Sequence, residues 1–329
     1  MPERYDPPAL FRSAHLQTIY PTLFRRVALT TPVRERIETP DGDFLDLDWS
    51  ENRQGKQLAI LTHGLEGSSR GTYCQGMAAA LKGSGWDVLA WSFKGCSGEP
   101  NRLVQSYHSG STDQLELVIR HAIESHQYEN VALVGFSLGG NVVLKYLGDA
   151  GSRIDRRIRG GVAISVPCDL ASSAKKLELR QNRFYMARFM KSLRVKVREK
   201  SARFPKSLST EGLERMRTFA QFDQCYTAPI HGFRDAEDYW RRCSCRFVLS
   251  QISIPALLIN ALDDPFLTPD CFPHRAAKAS RHLKLLTPAF GGHLGFVEFE
   301  SDHLYWSERM SASFLQHSSL FAKKSASGI

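Results

Sequence analysis

No apolar run in this sequence is long enough to cross a bilayer. The longest, such as Val131 to Val134 and Ala256 to Ile259, are strand-length, far short of the ~20 residues a spanning helix needs. An apolar leader core is missing too. The opening "MPERYDPPALFRSAHLQ" carries charges and prolines where a signal peptide needs a hydrophobic stretch. Cysteine pairs at metal-binding spacing are absent. There are seven cysteines, an odd number, and the nearest two, Cys243 and Cys245, have the wrong spacing for a CxxC site. Reduced thiols, no zinc and a cytoplasmic setting are therefore expected. Internal repeats and low-complexity linkers are also lacking, which excludes solenoids and disordered arrays.

Acidic residues are scarce in one region only. Gly151 to Lys206 holds 16 Lys and Arg against Asp155, Asp169, Glu178 and Glu199, whereas the whole chain carries a net charge of +9. The remainder is thus slightly acidic, so the basic block describes a local surface. Without interleaved aromatics on a platform it does not point to nucleic acid.

What is present is alternation. "QLAILTHG", "WDVLAWSFKGCSG", "NVALVGF", "IRGGVAISV", "SIPALLINALDDP" and "HLKLLTPAFGGH" read as buried strands, separated by helical segments such as "GTYCQGMAAALKGSG" and "TDQLELVIRHAIESH", the latter opened by Thr112 and Asp113 as capping residues. "VRERIETPDGDFLDLDWS" reads as a hairpin turning at Pro40 to Asp43. Strand–helix alternation predicts a mostly parallel sheet covered on both faces. It breaks from about 167 to 250, where the pattern is polar and helical until "CRFVLSQI". The expected organisation is an arm over 1–30 with little periodicity, one α/β domain over 31–317 carrying a helical cap insertion at about 167–250, and a flexible tail over 318–329.

The chemistry concentrates where "VALVGF" runs into "SLGGNVVLKYLGD". A serine between glycines at a strand-to-helix turn is held on a sharp bend, and the helix N-terminus behind it favours developing negative charge. Ser137 is therefore the candidate nucleophile. A serine hydroxyl needs a base and a group to orient that base. His293, in the glycine-loosened "AFGGHLGF", is the candidate base. Asp263 and Asp264 both follow a buried strand. Asp264, beside the turn-forming Pro265, is the favoured acid, and Asp263 is expected to cap the following turn. Oxyanion donors are expected at the backbone N–H groups of Leu138 and, from "THGLEGSS", Leu65. His63 is expected to orient that loop rather than react. His108 and Asp113 stand at H-x4-D spacing, with a capping role expected for Asp113 and a loop-bracing role for His108.

"AHLQTIYP", "HGLEGSS", "FKGCSGEPNR", "SYHSGSTD", "GFSLGGN", "NALDDPF" and "GGHLGF", in this order, resemble the YheT-like branch of the α/β-hydrolases, related to fungal medium-chain ester synthase/esterases and animal lipid-ester hydrolases. The resemblance spans nearly the whole chain. It implies an α/β-hydrolase fold, a Ser137–His293–Asp264 triad and carboxylester hydrolysis of small-molecule acyl esters. The same acyl-enzyme would serve an acyltransferase or thioesterase, and a silent fold would serve only for binding. No cofactor is called for. "RFYMARFMKSLRVKVREK" places Met186, Met190, Leu193 and Val197 on one helical face, Arg188, Lys191 and Arg198 opposite, and Arg194 and Lys196 on the flanks. Such a helix suits a cap over the site mouth. It also suits transient contact with an anionic membrane surface, which would place the protein peripherally at an inner membrane face.

Overall fold

The computed structural model describes residues 4–27, 31–50 and 55–325, with side chains as far as His317. The expected strands form one eight-stranded sheet: β1 (Val33–Glu38), β2 (Phe44–Trp49), β3 (Gln57–Thr62), β4 (Asp87–Ser92), β5 (Asn130–Phe136), β6 (Ile158–Ile164), β7 (Ala256–Ile259) and β8 (Leu283–Leu286). Its order is β1-β2-β4-β3-β5-β6-β7-β8. β1 and β2 form the antiparallel hairpin read from the sequence, and β2 joins β4 antiparallel. The ladders from β4 across to β8 are all parallel.

The helices are α1 (Ala14–Phe24), α2 (Thr72–Gly83), α3 (Thr112–Ser125), α4 (Leu138–Ala150), α5 (Leu170–Leu177), α6 (Arg183–Arg203), α7 (Phe219–Phe222), α8 (Ala228–Ile230), α9 (Ala236–Cys243), α10 (His274–Ala279) and α11 (Trp306–Ser325). A π-helical stretch, Asp223–Thr227, joins α7 to α8. Because strand side chains alternate, β5 serves two cores. Val131 and Leu133 pack with α3, α4 and the helices between β6 and β7, while Ala132, Val134 and Phe136 pack with α2 and α11.

Several expectations are corrected. The arm contains α1, whose Gln17 is fully buried and takes hydrogen bonds from the Tyr5 hydroxyl at 2.8 Å and Val297 N–H at 3.1 Å. Its role is tertiary, which is why no strong amphipathic period marks it. At the other end the backbone of α11 is helical to Ser325. "CRFVLSQI" is not a strand but two 3₁₀ turns, Cys245–Phe247 and Leu249–Gln251. Its buried residues Cys245, Leu249 and Ile252 recur at helical rather than alternate spacing. At α3 the N-cap is Ser111, and Asp113 lies exposed in the first turn, near the positive end of the helix.

The segment after α1 is fixed to the body by a buried ion pair. Arg25 Nη1 and Nη2 donate to the two Glu308 oxygens at 2.6 and 2.7 Å. Glu308 also accepts from Tyr305 N–H at 2.9 Å, and the guanidinium lies 3.7 Å above the Tyr305 ring. Room for the pair exists because α2 has Gly76 there; a Cβ at Gly76 would sit 2.0 Å from Glu308 Oε1. Glu308→Ala leaves a buried guanidinium without its carboxylate, a change that costs about 3–5 kcal/mol. The expected result is a large drop in the urea midpoint, whereas substituting the exposed Arg12–Asp6 pair leaves that midpoint within error.

Candidate active site

The expected site residues stand at the carboxyl ends of parallel strands, where open α/β sheets bind ligands. Ser137 follows β5 directly, with φ 52° and ψ −119°. This left-handed conformation is unusual for a residue bearing Cβ. Its flanks must be glycine: a Cβ at Gly135 would lie 2.4 Å from Gly139 O, and one at Gly139 2.2 Å from Thr62 O. The serine itself is locked by Ser137 N–H to Ile164 O at 2.8 Å and by Asn141 N–H to Ser137 O at 3.0 Å.

His293 Nε2 lies 2.9 Å from Ser137 Oγ, and its Nδ1 lies 2.9 and 3.1 Å from the two Asp264 oxygens. Both His293 and Asp264 are buried. Asp264 also accepts from Phe266 N–H at 2.9 Å, and the Phe266 ring covers the imidazole at a centroid distance of 4.1 Å. The neighbouring acid is directed elsewhere. Asp263 was expected to cap the turn that follows it; instead Asp263 Oδ1 accepts from Gly292 N–H at 2.9 Å. Its other oxygen is buried with no partner among the described residues. Burial first, opposed by the Gly292 hydrogen bond, and then the nearby Asp264 charge push its pKa up.

The histidine loop is held at three successive N–H groups. Gly292 donates to Asp263, His293 to Thr18 Oγ1 at 2.9 Å, and Leu294 to Ser165 Oγ at 3.0 Å. Thr18 comes from α1, within the "AHLQTIYP" stretch, and Ser165 sits just past β6 with φ 53°. Neither residue was singled out in the sequence. Only the position of that stretch in the shared motif order hinted at a role for it.

The loop after β3 packs against the serine: a Cβ at Gly64 would lie 3.2 Å from Ser137 Cβ. Leu138 is the first residue of α4, so its N–H has no intrahelical acceptor. Leu65 N–H has no acceptor among the described residues, and both leucines border the cavity beside Ser137. His63 stays out of reach of the chemistry. Its Nε2 accepts from Phe93 N–H at 3.1 Å and its Nδ1 donates to Gly64 O at 2.7 Å. Full burial lowers its pKa to about 4, so it is a neutral brace. His108 makes no bond to Asp113; its Nδ1 accepts from Gly110 N–H at 3.0 Å.

Ser137 and His293 separate two spaces. One is a chamber of about 170 Å³ beneath the helices that join β6 to β7, lined by apolar residues including Leu177, Phe189, Leu193 and Phe222. The other is a wider cleft of about 860 Å³ between α1, the 64–73 loop and the start of α6. α6 turns Met186, Met190 and Val197 inward, so the stripe that would have entered a membrane is already buried in the protein. Lys196 and Lys200 also turn inward rather than joining the solvated face. Lys196 Nζ donates to Glu66 Oε1 at 2.9 Å and Cys96 Sγ at 3.1 Å, while Lys200 Nζ donates to Asn101 Oδ1 at 2.7 Å. Glu66 further accepts from Tyr107 OH at 2.7 Å and from Ser192 Oγ. Arg188, Lys191 and Arg198 remain exposed.

The backbone crowding predicts a sharp asymmetry among glycines. Gly139→Ala drives a methyl into two carbonyls and is expected to abolish the cooperative thermal transition. Gly83→Ala, with nothing within 4 Å of the added Cβ, is expected to leave the melting temperature equal or slightly higher.

A family model described as alpha/beta hydrolase fold matches residues 60–300. The chain is 38% identical over 292 residues to "Putative esterase YheT" of Escherichia coli (strain K12), covering 87% of this chain and 85% of that protein. It is 26% identical over 290 residues to "Phospholipase ABHD3" of Bos taurus, covering 84% and 70% respectively. Among solved structures, the esterase Pf2001 of Pyrococcus furiosus superposes with a TM-score of 0.60 at 16% identity, covering 96% of this chain and 98% of that one. Motif order, sheet order and these likenesses agree, and the chain belongs to the α/β-hydrolase family as a YheT-like member.

Proposed function

We propose that this protein is a serine carboxylesterase acting on small-molecule acyl esters, with Ser137, His293 and Asp264 as its catalytic triad. What carries this function is the unbroken relay of short contacts, Ser137 Oγ to His293 Nε2 at 2.9 Å and His293 Nδ1 to Asp264 Oδ2 at 2.9 Å. Relatives named as an esterase and a phospholipase support ester chemistry.

In the proposed reaction His293 Nε2 takes the Ser137 proton as Oγ attacks the ester carbonyl. Asp264 accepts from His293 Nδ1 and stabilises the imidazolium. The N–H groups of Leu65 and Leu138 receive the oxyanion of the tetrahedral intermediate, each contributing on the order of 3 kcal/mol. Collapse breaks the C–O bond, and the imidazolium returns its proton to the departing alcohol. Water, deprotonated by His293, then cleaves the acyl-enzyme and restores Ser137. On this proposal the helices between β6 and β7 form a cap, its apolar chamber takes the acyl chain, and the wider cleft releases the alcohol. None of the described helices is long and apolar enough to cross a membrane. Contact with an anionic lipid surface would instead use exposed groups around the cleft, namely Leu23, Phe184 and Arg188.

Three substitutions test the relay with a panel of p-nitrophenyl esters. Ser137→Ala is expected to lower kcat by roughly 10⁵–10⁶-fold and to abolish labelling by a fluorophosphonate. Asp264→Asn should cost about 10⁴-fold through the wrong imidazole tautomer. Asp263→Asn keeps an acceptor for Gly292 and should stay within about tenfold of wild type; equal losses at 263 and 264 would reject the assignment of the acid.

Chain length tests the cap. Leu193→Ala widens the chamber wall, so kcat/KM for a medium-chain acyl ester should fall roughly tenfold while that for an acetate ester changes little. Equal falls for both esters would exclude the chamber as the acyl site.

A further inference from the structure

Part of the chamber wall is unused by the proposed ester chemistry. His108, in the loop after β4, and His231, just past α8, both border the chamber, with ring centroids 4.7 Å apart and planes at 63°. His108 Nδ1 accepts from Gly110 N–H, so in the neutral ring its proton sits on Nε2, a donor. No partner for that N–H, or for either ring nitrogen of His231, occurs among the described residues. Neither residue has a sealed, unsatisfied nitrogen, and both rings line the chamber.

The charged and phenolic groups of the same wall are already engaged. Asp223 accepts from Trp240 Nε1 at 2.8 Å and Thr227 Oγ1 at 2.6 Å. Lys200 is held by Asn101, and the Tyr239 hydroxyl donates to Ser109 Oγ at 2.7 Å. The imidazoles are kept neutral by their surroundings. Burial, then Arg242, lowers His108 to about 4; burial, then His108 and Lys200, lowers His231 to about 3.

A neutral donor beside a ring that offers an unprotonated nitrogen suits a group that both accepts and donates, which is a hydroxyl. A plain alkyl chain strips water from these nitrogens and returns nothing. A carboxylate would share the wall with Asp223. We infer that the acyl group filling this chamber carries a hydroxyl beyond the scissile ester, accepting from His108 Nε2–H and donating to His231. The substrate class is then hydroxyacyl esters. This rests on the esterase proposal for the direction in which the chain enters.

The test uses methyl esters of medium-chain acids, unsubstituted or hydroxylated at successive carbons, with acid product measured by mass spectrometry. One hydroxyl position is expected to raise kcat/KM about tenfold or more over the parent ester, and His231→Phe should return that ratio to about one. In parallel, calorimetry on Ser137→Ala compares a hydroxyalkanoate with its alkanoate, so recognition is measured without turnover and with the histidine pair intact. Preferential binding of the hydroxyalkanoate with no ester hydrolysed by wild type would sink the esterase proposal and keep this one. Equal binding of the two acids, equal kcat/KM across the series, or a preference that persists in folded His231→Phe overturns the hydroxyl assignment.

Discussion

The site depends on two stretches of backbone touching where no side chain fits between them. A Cβ at Gly139 would lie 2.2 Å from Thr62 O and 2.3 Å from His63 O, and one at Gly64 would meet Ser137. The end of β3 and the start of α4 are thereby pressed together. That contact sets the loop carrying Leu65 beside the serine that Leu138 follows, and all three residues line the same cavity. It also holds Ser137 at φ 52°, a conformation that costs on the order of 1–3 kcal/mol and persists only where its surroundings over-determine it. Here they do so through the ladder bond to Ile164, the first helical bond from Asn141 and the steric fit of three glycines.

His293 is placed by a different device. β8 is four residues long and ends at Leu286, well before His293, so the strand alone does not position the imidazole. Three N–H groups of the loop are tied to Asp263, Thr18 and Ser165, which belong to three separate parts of the fold. α1 supplies one tie and also approaches closely enough that a Cβ on Gly295 would lie 2.6 Å from Gln17 O. The Arg25–Glu308 pair then fixes the segment leaving α1 to α11. The N-terminal arm therefore works as a strap under the histidine loop.

This division explains what was legible in the sequence. The bend at Ser137 is local, and the need for tiny residues around it writes itself into consecutive positions. The parallel strands were equally plain because both faces are buried and their apolar runs are short and bounded. Asp264 and His293 were legible through their place after strands. The separate duty of Asp263 was not, because its partner Gly292 is distant in the chain. α1 was missed for the same reason: its buried residues answer to the histidine loop and not to a periodic face. The turns around Cys245 and Leu249 looked strand-like because five apolar or thiol residues crowd into eight positions, a length at which helix and strand cannot be told apart by pattern. Lys196 was read only as flanking the helix and Lys200 was not singled out, because charge alone gives no direction; their acceptors lie 130 and 99 residues earlier in sequence, at Glu66 and Asn101.

One of those inward lysines, Lys196, joins α6 to the loop after β3. Glu66 follows Leu65 with φ 54°, and its carboxylate is held by Tyr107 from the body and by Ser192 and Lys196 from α6. Burial raises the cost of its charge, but Lys196 and these hydrogen bonds outweigh it and keep the pKa below the usual carboxylate range. Glu66 is therefore a charged strut between α6 and the residue proposed to donate to the oxyanion. Lifting α6 would strand a buried carboxylate and release a left-handed loop residue together. On the proposed mechanism, the helix that walls the acyl chamber also braces the residue next to the oxyanion donor, so one element serves both substrate binding and the reacting centre.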